Sequence, residues 1–194
     1  MDSPQDLRPA LREKANDILA RLSSAERETL LVKCWLSHDA RWFMAVATEC
    51  GLEVTNRVNR IAAHEVGNVE ARRIASALQM PPVTGVDDYL LAQEVLIGLL
   101  GPDLLDYGVS KDGDDAFQVC IRRCFAYDNA TRAGVTDGFG CGIFARITGW
   151  LDALDLTYEL SPSTEECLHA RGQECIHTVT LETVAPEVPR EPGD

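Results

Sequence analysis

The chain has 194 residues, 45% of them hydrophobic and 25% charged, and carries a formal net charge of −13. That composition supplies a core, which excludes a disordered chain, and at this length one domain, or one domain with a helical extension, is expected. The acidity argues against nucleic acid as a partner, because phosphate binding rests on clustered Lys and Arg.

The first half reads as helices. From Gln5 to Leu22 the residues Leu7, Leu11, Ala15, Ile18, Leu19 and Leu22 recur at spacings of three and four, one face of an α-helix. Ser23-Ser24 ends it, and Ser24 is the expected N-cap of the next helix. That helix carries Leu30, Leu31, Cys34, Trp35, Trp42, Phe43, Val46 and Cys50 as its apolar stripe and stops at Gly51. It is expected to be the most buried helix, with Cys34 and Cys50 as small core side chains. A third helix runs from Val54 to Leu78, loosened at Gly67 and stopped by Pro81-Pro82; a fourth spans Val86 to Leu100 and is closed by Gly101-Pro102.

After Pro102 the period changes from 3.6 to 2. Phe117, Val119 and Ile121 alternate with Gln118, Cys120 and Arg122, which predicts a strand with one buried face, and residues 104–109 can form its hairpin partner across an Asp-rich turn. Leu156, Tyr158 and Leu160, and then Cys175, His177, Val179 and Leu181, mark two further strands. Between them Ile143 to Leu154 is helical, opened by Gly138, Gly140 and Gly142. Those glycines either aim amide N–H groups at an anion or make a tight turn into a closely packed helix. The order predicts an α+β chain: N-terminal helices followed by an antiparallel β-sheet packed on helices. The expected organisation is a helical region at 1–84, an α+β region at 85–184 compact with the first, and a disordered tail at 185–194.

Charge follows this division. Residues 1–84 hold 11 basic and 11 acidic side chains, while 85–194 hold 7 and 20. The acidic excess makes a solvated surface or favours a cation in the second half. The first ten residues lack an apolar signal core, and no stretch of 18 apolar residues occurs, so the expected compartment is the cytoplasm, with no membrane partner. Seven cysteines in such a chain are thiols, buried side chains or metal ligands rather than disulfides.

Five of them lie at strand ends or in loops. Cys124, Cys141, Cys167 and Cys175 can supply the four thiolates that tetrahedral zinc takes, or they are buried thiols. An iron–sulfur cluster is the lesser alternative. His177 follows Cys175 by two residues and shares its strand face, so it is either a further ligand or proton carrier or a core histidine with one hydrogen bond. His169 is expected in an exposed turn and is a second candidate proton carrier, with Glu166 beside it. His38-Asp39 and His64-Glu65 lie on helices without a second ligand one turn away and read as helix surface. No nucleophile elbow, phosphate loop or H-E-x-x-H motif occurs, and no catalytic residue is assigned.

Gly138-Phe139-Gly140-Cys141-Gly142-Ile143, Tyr158-Glu159 and the run from Glu166-Cys167-Leu168-His169-Ala170-Arg171-Gly172 to Cys175 resemble the C-terminal half of the 4-vinyl reductase-like small-molecule-binding domain. With a Cys at 124 and another at 141, the arrangement also resembles the amino-thiazoline-carboxylate hydrolase family. Leu36-Ser37-His38-Asp39-Ala40-Arg41-Trp42-Phe43 through Glu70-Ala71-Arg72-Arg73 is similar to the helical leader of its relatives. The resemblance implies a fold akin to TRAPP subunits, often dimeric, enclosing a small-molecule pocket here assigned to Trp42, Phe139 and Tyr158. It also implies a metal held by Cys124, Cys141, Cys167 and Cys175; Cys120 has no counterpart, and His177 stands where the family has an aromatic. Three functions follow as expectations: a cytosolic small-molecule sensor or carrier with a cysteine-ligated metal, a metal-dependent hydrolase of a small cyclic amide or thiazoline, or a homodimerisation module acting through Trp35, Trp42 and Phe43.

Overall fold

The computed structural model describes residues 6–101 and 104–182, and the tail at 185–194 lies outside them. The chain divides into two compact units, Met1–Trp42 and Phe43–Asp194.

In the first unit, α1 (Arg8–Leu19) carries a proline in its first turn, where the missing N–H has no intrahelical partner to lose. The second helix, α2 (Ser24–Cys50), begins here. Its N-cap is Ser23, one residue earlier than expected: the Ser23 N–H donates to Glu26 Oε2 at 2.9 Å and the Glu26 N–H donates to Ser23 Oγ at 3.2 Å, a reciprocal capping box. No described residue of this unit is buried. The expectation that α2 is the most buried helix is overturned along its whole length, since none of its residues is buried and both Cys34 and Cys50 are exposed. A 3.6-residue apolar stripe records a face that gains by leaving water; it does not require cover from the same chain.

The second unit is the α+β body. After the last turns of α2 come α3 (Leu52–Leu78), α4 (Val86–Leu100), β1 (Leu105–Asp112), β2 (Ala116–Cys124), α5 (Phe125–Ala133), α6 (Gly142–Ala153), β3 (Tyr158–Ser161) and β4 (Cys175–Leu181). The strands form one antiparallel sheet in the order β1-β2-β4-β3. Phe117, Val119 and Ile121 of β2 stand opposite Val179, His177 and Cys175 of β4, so these six side chains share one face, and all are buried. Tyr89 of α4 packs on Phe117 with ring centroids 5.4 Å apart, and Phe144 of α6 stacks on His177 at 3.7 Å, which places both helices over that face.

Helix α3 is continuous through Gly67, which is buried against α6 rather than loosening the helix. A Cβ at Gly67 would run into the carbonyl of Arg146, and one at Gly149 would run into the carbonyl of His64, so the two backbones touch at two glycines. Polar side chains lock the same contact. Glu70 accepts from Arg146 through both carboxylate oxygens and from Trp150 Nε1 at 2.6 Å, and His64 Nε2 lies 2.7 Å from Asp152 Oδ2. His64 thus links two helices instead of lying idle on a helix surface. Among the described residues no helix is long and apolar enough to cross a membrane.

Candidate functional site

Four of the seven cysteines are buried, and they are the four expected to act together: Cys124, Cys141, Cys167 and Cys175. Each arrives from a different local structure. Cys124 ends β2 and is the N-cap residue of α5; Cys141 is the N-cap residue of α6; Cys175 opens β4 opposite Ile121. Cys167 lies in the turn before β4 and is fixed by its N–H, which donates to Phe139 O at 2.8 Å.

The loop carrying Cys141 is held from below by Asn56 of α3. Its Nδ2 donates to Gly138 O at 2.6 Å and its Oδ1 accepts from the Gly140 N–H at 3.0 Å. The Cys141 N–H donates to Thr164 O at 3.3 Å, and Arg60 Nη1 donates to Glu165 O at 3.0 Å, so the loop before Cys167 is tied to the same helix and strand-free segment. With the Gly140 amide committed to Asn56, that amide is held in the turn into α6. Asn56 has no sequence signal beyond its place on α3, because both of its bonds span more than eighty residues. Replacing Asn56 with alanine is expected to cost about 2 kcal/mol, the usual loss when a buried amide's partners are left unmade. Thermal unfolding beside Asn56→Asp, which keeps the acceptor for Gly140, checks it.

Three of the four thiols are raised, by burial first. Burial pushes Cys141 up to about 12, opposed by the amide of Phe144, with the sulfurs of Cys167 and Cys124 adding to the rise. Cys175 is also pushed up to about 12, by burial first and then by Cys141, Cys167 and Cys124. Burial raises Cys124 too, against the amides of Tyr127 and Ala126 at the start of α5. Cys124, Cys141 and Cys175 pack in one core cluster and Cys167 in a second beside Phe139, and Cys124 and Cys141 face helix N-termini that favour negative charge. Among the described residues no three His, Cys, Asp or Glu side chains are drawn close enough to form a group that could hold a metal ion. Thiolates are donors that zinc takes, but the described residues do not bring three of them into one coordination group.

Accessibility gives an order of reactivity. Under native conditions iodoacetamide is expected to label Cys34 and Cys50 first, half-buried Cys120 next, and the buried four only on unfolding. Peptide mass spectrometry over a time course reads it.

The histidines differ from expectation. His169 is half-buried, not exposed: its ring lies 5.3 Å from that of Tyr127, and its Nε2 is buried without a partner. His177 is buried with both ring nitrogens unpartnered, so it lacks the single hydrogen bond that a satisfied core histidine would have. Burial lowers its pKa to about 4. Glu166 pairs with Arg171 at the surface, at 3.1 Å. Of the aromatics assigned to a pocket, Trp42 is exposed, Phe139 is buried beside Cys167 and edge-on to Phe43, and Tyr158 borders the other core cluster. Phe139 and Tyr158 are thus not brought together. A groove of about 390 Å³ between α4 and β1 is lined by Glu94, Ile97, Gly98, Tyr107, Gly108 and Val109, with no cysteine in its wall.

The sequence model of a family of unknown function, DUF6125, matches residues 21–136, more than half of the chain. The chain belongs to this family. The family match takes in α3, α4, the β1–β2 hairpin and α5, and of the four gathered cysteines it includes Cys124. No curated protein matches the chain.

Proposed function

We propose that this DUF6125 member is a cytoplasmic small-molecule-binding protein, a sensor or carrier, whose second unit holds zinc through Cys124, Cys141, Cys167 and Cys175. The observation that supports the reading is the burial of four thiols from four separate segments, two of them at helix N-caps, each of Cys124, Cys141 and Cys175 feeling the charge of others in the set. Isolated buried cysteines need no such arrangement, and the resemblance to 4-vinyl reductase-like domains points the same way. Bound zinc would hold the thiolates ionised at neutral pH and fasten the α5, α6 and β4 termini to one another.

The partnerless Nε2 of His169, two residues from Cys167, favours a second reading. With three cysteine ligands and a vacant position, zinc supplies Lewis acidity toward water, and His169 would carry the proton in hydrolysis of a small cyclic amide or thiazoline. The exposed Trp35 and Trp42 of α2 favour homodimerisation as a third role.

Elemental analysis of protein purified without added metal tests the first reading. Wild-type chain should carry close to one zinc, and Cys175→Ser should lose most of it. A metal-free wild type together with a Cys175→Ser variant of unchanged stability returns the four cysteines to core thiols.

A further inference from the structure

Tyr89 Oη, Gln93 Oε1 and both ring nitrogens of His177 are sealed in the second unit without a hydrogen-bond partner. None of the three residues is more than 1% exposed. Each buried polar atom left unmade costs about 1–3 kcal/mol, so a core has reason to keep them only if something satisfies them.

The sheet register sets the three side chains over one face of the sheet. Lys111 of β1 pairs with Asp87 at the start of α4, and Tyr107 donates to Glu94 about two turns further along, so α4 runs antiparallel to β1 and parallel to β2. Tyr89 packs on Phe117. One turn further along α4, about 5–6 Å, stands Gln93; two residues further along β2, about 6–7 Å, stands Val119. Val119 is directly opposite His177. Gln93 therefore lies level with His177, over the same sheet face as Tyr89. Phe144 covers one face of the imidazole in a stacked arrangement inclined by 22°, and a stacked ring keeps its nitrogen-bearing edge for in-plane partners.

We propose that Tyr89, Gln93 and His177 line a buried binding site, between α4, α6 and the sheet, for a small neutral molecule bearing an adjacent hydrogen-bond donor and acceptor, of the amide or lactam class. The ligand's N–H donates to Gln93 Oε1, and its carbonyl accepts from the Tyr89 hydroxyl or the imidazole N–H. No Lys, Arg, Asp or Glu is among the buried residues described, so a charged ligand would enter without a counter-ion. The surrounding Phe117, Val119 and Phe144 give the apolar wall such sites have. This site deepens the small-molecule reading above and rests on it, but it is independent of the zinc.

Titration of the full-length protein with 2-pyrrolidinone, followed by thermal shift and by amide chemical shifts of β4, tests it. The wild type should show a saturable rise in Tm, with the shifts at His177 and its neighbours saturating at the same concentration. Gln93→Met conserves volume and should bind at least about tenfold more weakly; His177→Phe, which keeps the stack on Phe144, should do the same. No saturable response in the wild type, or equal responses in wild type and both variants, overturns the site and assigns the four atoms to ordered water. Zinc measured in the same samples separates the two readings: zinc without pyrrolidinone binding sinks this site alone, and binding without zinc sinks the metal reading alone.

Discussion

Gly149→Ala is expected to unfold the Phe43–Asp194 unit under conditions where the wild-type chain is folded. The added Cβ would overlap the His64 carbonyl and lie 2.8 Å from the Asn68 amide nitrogen, and both are backbone atoms of a long helix that cannot swing aside. Overpacking costs about 1–3 kcal/mol where side chains yield; against two backbones the loss should reach or exceed about 3 kcal/mol, a large share of the 5–15 kcal/mol that holds a domain folded. Gly98→Ala on α4 is the control. Nothing lies within 4 Å of a Cβ there, so alanine should stabilise the helix by about 0.5–1 kcal/mol. Urea denaturation of both variants checks the pair, and an unchanged midpoint for Gly149→Ala would show that α3 and α6 do not meet as described.

Glu70→Ala should cost about 3–5 kcal/mol, again by urea denaturation. The Glu70–Arg146 pair is largely shielded, with 12% and 19% of the two side chains exposed, and Trp150 donates to the same carboxylate. Removing the anion leaves a shielded guanidinium without that counter-charge and a buried indole N–H without its acceptor. Glu70→Gln keeps the acceptor for Trp150 and should lose less. Replacing both partners, Glu70→Leu with Arg146→Met, should recover most of the loss, because a shielded ion pair offsets its own desolvation and little more. A double variant as unstable as Glu70→Ala would mean that Arg146 acts elsewhere.

The periodicities carried most of the fold. Alternation at 117–121 and 175–181 located the two central strands because each has one buried face, and Gly51, Pro81-Pro82 and Gly101 bounded the long helices within a few residues. Helix α5 escaped notice. It has nine residues and buries Ala130 alone, too little for a periodic stripe, though Gly134 at its left-handed C-cap and Arg132 in its last turn are end signals. The exposure of α2 is not legible in its stripe, because amphipathicity states a preference for a partner and not its whereabouts. For the candidate site, loop and strand-end placement sets five cysteines apart, and four of them are buried while Cys120 is half-buried. Asn56, Glu70 and the His64–Asp152 contact act across 76 to 88 residues, and nothing local marks such pairs. Tyr89 and Gln93 carry no local signal on α4; only the strand register sets them over the sheet face that holds His177.

The strand order also sets a schedule. β3 has β4 as its sole neighbour in the sheet, yet β4 follows it in the chain with the Cys167 turn between them. As the chain leaves the ribosome, the β1–β2 hairpin can close at once, but β3 must wait, its edge groups open, until β4 slides in between β2 and β3. That one insertion brings Cys175 and His177 into the interior together. Until it happens, the sites proposed above stay incomplete, so a nascent chain stalled before β4 should be the form that chaperones and proteases see.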